Sequence, residues 1–200
     1  MAKSAESKTS KSTPAKSRTT TKKSTANGKI KAKSNAAENL REFLVDGLKD
    51  LFWAEKHLSK ALVKMEENAT SPKLKDAINN HKSETDVQIT RLEEVFAILD
   101  EKAKAEKCDA MEGLIKEGEG IMEETEAGAV CDAAIIAAAQ KVEHYEIASY
   151  GTLIAYCQLL QEEDAMKILQ QTLDEEKSCD SLLTDLAISE INLEAASEEK

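Results

Sequence analysis

Four glutamates, Glu55, Glu84, Glu143 and Glu176, each fall inside an otherwise apolar stripe of helical period. No other feature limits the fold as strongly, because an ionised carboxylate among Leu, Ile and Ala is costly unless something neutralises it. Four such seams meeting in one core require a helical assembly with a polar centre.

The seams locate the helices. Leu40, Leu44, Leu48, Leu51, Glu55, Leu58, Leu62 and Met65 recur at spacings of three and four and predict a first helix from about Glu38 to Glu66. Ser71 before Pro72 is an N-cap followed by a first-turn proline, and opens a second helix with the seam Leu74, Ala77, His81, Glu84, Gln88, Leu92, Val95, Leu99. A short helix from about Asp109 to Glu124, rich in glycine, reads as part of a connection. The third long helix starts after Gly128, with Ala133, Ile136, Gln140, Glu143, Ile147, Tyr150, Ile154 and Cys157 on one face and Glu146 one turn from Glu143. The fourth, from about Glu163 to Ile191, carries Leu169, Thr172, Glu176, Cys179, Leu183 and Leu186.

A short turn joins the first two long helices and another joins the last two, with a long link between the pairs. The expected fold is therefore all-α: a ferritin-like antiparallel four-helix bundle with a long crossover containing a short extra helix.

The seams contain no Lys or Arg, so protonation or a bound cation must offset the buried charge. Helix-borne carboxylates with imidazole suit two divalent ions, iron or manganese, and the candidate ligands are Glu55, His81, Glu84, Glu143, Glu146 and Glu176. Gln140, Tyr150 and Cys179 fall close enough along the same faces to support those ligands. Cys179 stands one turn after Glu176, where a second histidine would be expected, and reads as a buried structural thiol. Tyr150 reads first as a core aromatic with its hydroxyl satisfied, and second as a hydrogen-bond donor to the ligands. His57 and His144 lie off the seams and are expected at the surface.

Charge divides the chain differently. Residues 1–36 carry ten Lys or Arg against one acid, a balance of +9, and the remainder carries −20, which together give the chain's −11. With thirteen Ser or Thr and almost no large aliphatics, residues 1–36 cannot bury enough surface to offset the entropy of ordering them. The expected organisation is a disordered basic arm over 1–36, the bundle over 37–192 and an acidic disordered tail over 193–200. Lys16, Arg18, Lys22, Lys23, Lys29, Lys31 and Lys33 would let the arm bind phosphate backbones without reading sequence, or equally serve as a solubilising tail that folds back on the acidic body. No apolar run approaches the roughly 20 residues that span a bilayer, so no membrane partner is expected. Four cysteines, widely spaced and without a C-x-x-C pair, fit a reduced cytoplasmic setting.

Longer runs carry a resemblance. The stretches LFWAEKHLSKALVKM (Leu51 to Met65), KCDAMEGLIKEGE (Lys107 to Glu119), DAAIIAAAQKVEHYEIASYGTL (Asp132 to Leu153) and TLDEEKSCDSLLTDLA (Thr172 to Ala187) resemble the YciE/YciF family of bacterial ferritin-like stress proteins. The similarity spans about Asn39 to Ile191 and leaves the arm out. It implies a bundle related to rubrerythrin, bacterioferritin and manganese catalase, a homodimer, a di-metal centre and a role in the stress response. Matched to the rubrerythrin-like pattern, the ligands would be Glu55, Glu84, Glu143 with Glu146, and Glu176. Two departures stand out: His81 precedes Glu84 instead of following it, and Cys179 replaces a histidine. A site this rich in carboxylate favours manganese or loosely held iron.

Two functions from different classes follow. One is a metalloprotein that handles peroxide or oxygen at Glu84- and Glu176-bridged ions. The other is a non-enzymatic dimeric stress protein, its metal structural or absent, with Phe52 and Trp53 offering an apolar patch to a partner helix.

Overall fold

The computed structural model describes residues 30–197, and its compact body begins at Ala37. Among the arm residues named above, Lys31 and Lys33 are described and exposed, whereas Lys16, Arg18, Lys22, Lys23 and Lys29 lie outside the described residues, as do residues 198–200.

Helix α1 (Leu40–Asn68) is opened by Asn39, whose side chain accepts from the Glu42 amide at 2.9 Å, while Glu42 Oε2 accepts from the Glu38 amide at 2.7 Å. One of the amides that a helix start leaves without partners is thus satisfied, and the chain ahead of the cap is pinned to the first turn. Helix α2 (Pro72–Ile98) begins under the Ser71 cap, with proline in its first turn where no amide is needed. The short helix α3 (Asp109–Glu123) runs unbroken through Gly113 and Gly118. Helix α4 (Ala129–Leu160) starts at Gly128, whose φ of 151° favours a residue without Cβ, and ends at Gln161 in the left-handed region (φ 61°). That tight turn leads directly into α5 (Glu163–Leu186).

Helix α1 packs against α2 and α4, and α5 closes the ring against α2 and α4, while α3 lies across α4 and α1. The four long helices form the bundle and the crossover carries α3, as the seams imply; no strand occurs among the described residues. Helices α1 and α4 approach closely at Gly47, where a Cβ would come within 2.7 Å of Leu153 Cδ2. No described helix is long and apolar enough to cross a membrane.

The core has two apolar halves. One gathers Leu58, Leu62, Ile78, Ile135, Val142 and Leu183; the other gathers Leu48, Leu51, Leu92, Phe96, Leu153 and Leu169. Along α1, Glu55 falls between Leu51 of one half and Leu58 of the other, and along α5, Glu176 falls between Leu173 and Leu183. A polar layer therefore crosses the middle of the bundle, insulated from water at both ends.

Three sequence expectations need correction here. The buried face of α2 is turned slightly from the expected seam, so Ile78 and Thr85 face inward in place of Ala77 and Glu84. Phe52 offers no patch: it is 3 % exposed and sits edge-on to Phe96, while Trp53 is half-buried and stacked on His57. The physical reason is that α1 touches three neighbours, α2, α3 and α4, and so buries a wider arc than one stripe. Helical structure also passes the expected boundary at 192: a π-helical turn (Ala187–Ile191) leads into α6 (Asn192–Ser197). Ile191, 1 % exposed, anchors the turn to the apolar end of the core and supplies the nucleus from which α6 continues.

Candidate metal centre

Five ionisable side chains meet in the polar layer: Glu55 from α1, His81 from α2, Glu143 and Glu146 from α4, and Glu176 from α5. Each is 3 % exposed or less. Helical spacing explains the convergence, since Glu143 and Glu146 lie on one face of α4 and the other three occupy the inward seams of their helices. His81 Nε2 lies 3.2 Å from Glu143 Oε1 and 3.9 Å from Glu176 Oε2. Ligand atoms of His81, Glu143, Glu146 and Glu176 all fall within 4.8 Å of one another, as do those of His81, Glu143 and Cys179.

Hydrogen bonds fix only part of this cluster. Tyr150, fully buried, donates to Glu55 Oε1 at 2.5 Å. Gln88 donates to Glu176 Oε1 at 2.5 Å and to Glu175 Oε2 at 3.1 Å. Glu175 is gripped in turn by the Arg91 guanidinium at 2.5 and 2.8 Å, which locks α2 to α5 beside the layer. The remaining atoms have no partner: Glu55 Oε2, Glu143 Oε2, both oxygens of Glu146, Glu176 Oε2 and both ring nitrogens of His81, the last being close to Glu143 without hydrogen-bond alignment. Among the described residues, every buried side-chain atom left without a partner belongs to this cluster or to Gln88, which touches it.

Charge behaves accordingly. Burial pushes Glu55 up to about 7, against the opposing pull of the Tyr150 hydroxyl and His81. Burial, reinforced by the charges of Glu55 and Glu176, holds Glu146 well above the carboxylate range. Glu176 is raised by burial too, against His81 and with help from Glu143 and Glu55. For His81 burial opposes the cation, but Cys179 and Glu143 beside the ring prevail and raise it well above the ordinary imidazole value. Burial also pushes the Cys179 thiol up to about 11. Without a cation, the carboxylates share protons as a set.

The donor set fits a divalent cation. Carboxylate oxygens and an imidazole nitrogen, unpaired and without an inward Lys or Arg, match the ligand preferences of manganese and iron. A cation would satisfy several orphaned atoms at once, each of which otherwise costs free energy.

The other candidates lie elsewhere. Glu84 is exposed, its carboxylate 3.9 Å from His81 Nδ1 at the rim, and so cannot bridge ions from within the core. Gln140 does not face the cluster: its amide donates to Asp180 Oδ1 at 3.1 Å and Thr184 Oγ1 at 2.8 Å. The slight rotation of α2 accounts for Glu84, and Gln140, one turn before Glu143, is held away from the layer by Asp180 and Thr184. Cys179 is half-buried beside His81. His57 is half-buried against Trp53, and His144 is exposed and 3.4 Å from Asp180.

Sequence reasoning missed Asp132, buried at 2 %, whose carboxylate accepts from the Thr70 amide, the Thr70 hydroxyl and the Ser71 amide at 2.7, 2.7 and 2.8 Å. The signal was the unpaired amides of Thr70 and Ser71 ahead of Pro72, which need an acceptor, although local sequence does not say which.

Comparisons with known proteins agree with this architecture. Residues 39–196 match the family described as a domain of unknown function, DUF892. The chain is 46 % identical over 159 residues to protein YciF of Escherichia coli K12, an alignment covering 79 % of this chain and 96 % of that protein. The crystal structure of the E. coli stress protein YciF superposes with a TM-score of 0.75 and 46 % identity, covering 78 % of this chain and 99 % of that one. YcfI from Rhodopseudomonas palustris gives a TM-score of 0.74 at 42 % identity, over 76 % of this chain and 98 % of that one.

Proposed function

The chain belongs to the DUF892 family, and from that membership together with the buried cluster we propose that it is a ferritin-like stress protein whose bundle holds two divalent iron or manganese ions and acts on peroxide or oxygen. The observation that carries the reading is the concentration of unpartnered buried atoms on Glu55, His81, Glu143, Glu146 and Glu176. A protein stabilised by only a few kcal/mol does not keep so many unsatisfied acceptors in its centre without a ligand for them.

Each residue has a definable task. Glu143, Glu146, Glu176 and His81 would hold the ions, with Glu55 completing the set from α1. The Tyr150 hydroxyl orients Glu55, while Gln88, backed by the Arg91–Glu175 pair, orients Glu176. Once a cation displaces the Nε2 proton, Glu84 at the rim would favour the remaining proton on His81 Nδ1 and leave Nε2, beside Glu143 and Glu176, to act as a ligand. Leucines above and below the layer exclude bulk water. When bound, iron or manganese would supply the one-electron steps that peroxide or oxygen chemistry needs. Loading the purified protein anaerobically with Fe(II) or Mn(II) should give two tightly held ions per chain and measurable peroxide consumption. Fewer than one tightly held ion would refute the reading.

The single imidazole among so many carboxylates, with Cys179 at the place of a second histidine, favours a second reading: a non-enzymatic homodimeric stress protein whose metal is structural. Ion binding without any peroxide consumption would select it.

The basic arm is compatible with both readings. Ten positive charges within residues 1–36 would attach the protein to phosphate backbones through released counterions, with no preference for sequence. In gel-shift titrations at low salt, the full chain should bind duplex DNA at least ~10-fold more tightly than a chain starting at Asn35, and this advantage should shrink steeply as salt rises. Equal binding by the two chains would remove the arm from any such role.

A further inference from the structure

We infer that Cys179 is a metal ligand: with His81 and Glu143 it forms a mixed sulfur, nitrogen and oxygen site for a borderline or soft divalent cation of the zinc or cobalt type. The inference rests on the proposed metal-binding role of the same layer and assigns a donor outside its carboxylate set.

Position supports it first. Cys179 lies one helical turn from Glu176, which directs its side chain toward the layer from α5. Its sulfur and ligand atoms of His81 and Glu143 lie within 4.8 Å of one another, near enough for one ion to reach all three after small side-chain rotations. Independent support comes from the partners: His81, 3 % exposed, has both ring nitrogens unsatisfied, and Glu143, 1 % exposed, has Oε2 unsatisfied. The cysteine is therefore not alone, since two buried donors without partners are gathered beside it. Cys108, by contrast, caps α3 and contacts Tyr145 at 3.1 Å, while Cys131 and Cys157 are buried within the apolar halves of the core.

The chemistry that follows is selectivity. Oxygen donors accept manganese and iron, whereas a thiolate raises the preference for zinc and cobalt over manganese. Cys179 is half-buried, whereas His81 and Glu143 are buried, so the sulfur is the most accessible donor of the three. Binding there releases the thiol proton as the ion engages.

Cobalt(II) reports the sulfur directly. Anaerobic titration of the full chain should develop a thiolate-to-cobalt charge-transfer band in the near ultraviolet with the first equivalent. Cys179→Ser should lose the band and weaken zinc binding at least ~10-fold while leaving manganese binding unchanged. Cys179→His should restore tight cobalt binding without the band, which separates loss of a ligand from loss of fold. If the wild type binds cobalt without the band, or the band survives in Cys179→Ser, this inference is overturned and the carboxylate site stands. Failure of the wild type to bind any of the three ions overturns both.

Discussion

Freed of metal, the protein should lose stability as pH rises from about 5 to 8, and the manganese-loaded protein should gain stability over the same range. The sign follows from the carboxylates of the polar layer. Glu55, Glu146 and Glu176 all have folded-state values raised above those of an unfolded glutamate, so the folded protein holds protons that the unfolded chain releases. Their contribution is complete below the unfolded value of about 4.5 and fades as pH climbs through the folded values, that of Glu55 being about 7. Across that interval Glu55 alone accounts for a loss on the order of 3 kcal/mol. Carboxylates lowered by a partner, Asp86 beside Lys82 and Glu175 held by Arg91 against its own burial, act at more acid pH and are already complete in this window.

A bound cation reverses the slope because it competes with those protons. Glu146→Gln separates the two effects, since both Glu146 oxygens lack partners and the amide is nearly isosteric. The metal-free variant should be at least as stable as the parent at pH 8, with a shallower decline. It should also lose most of the stabilisation that excess Mn(II) gives the parent, about 4 kcal/mol at a thousandfold excess over Kd. Urea unfolding at pH 5, 6.5 and 8, with and without Mn(II), measures all of this. A metal-free stability that rises with pH, or full Mn(II) stabilisation of the variant, would count against the polar layer as a cation site.

The second large effect lies far from that layer. Asp132→Ala should destabilise the protein by about 3 kcal/mol, because it removes a buried carboxylate that accepts from two amides and a hydroxyl of the half-exposed turn at Thr70 and Ser71. Those donors sit where α1 turns into α2, whereas Asp132 sits in the first turn of α4, so one side chain ties the first hairpin to the second. For a domain of this size the melting temperature should fall by about 10 °C. Asp132→Asn, which keeps one acceptor, should recover roughly half of the loss. A drop of under 2 °C for Asp132→Ala would show that water replaces the carboxylate and that the tie is not needed.

Much of the bundle was legible before any coordinates. The α1 stripe through Glu55 and the α5 stripe through Glu176 are long and regular, so phase errors average out and the inward residues come out correctly. The Ser71–Pro72 start of α2 and the glycine-rich crossover helix were equally readable, because capping and chain reversal are local chemistry. In α2, both Glu84 and Thr85 could continue the stripe, and the packing of α1 and α5 on either side selects Thr85. Phe52 was misplaced for the same reason: whether a flanking aromatic is exposed depends on how many neighbours surround its helix.

The sequence by itself determined the order and approximate bounds of the four long helices and of the crossover helix, and that ionisable residues would line their shared interior. These follow from spacing and capping, which act over a few residues. Only the tertiary structure decided which carboxylates meet, that His81 faces Glu143, that Cys179 stands beside both, and that Asp132 accepts from a turn 62 positions away. Such choices depend on the relative rotation of packed helices, where a shift of one residue moves a side chain about 100° around the axis and exchanges core for solvent.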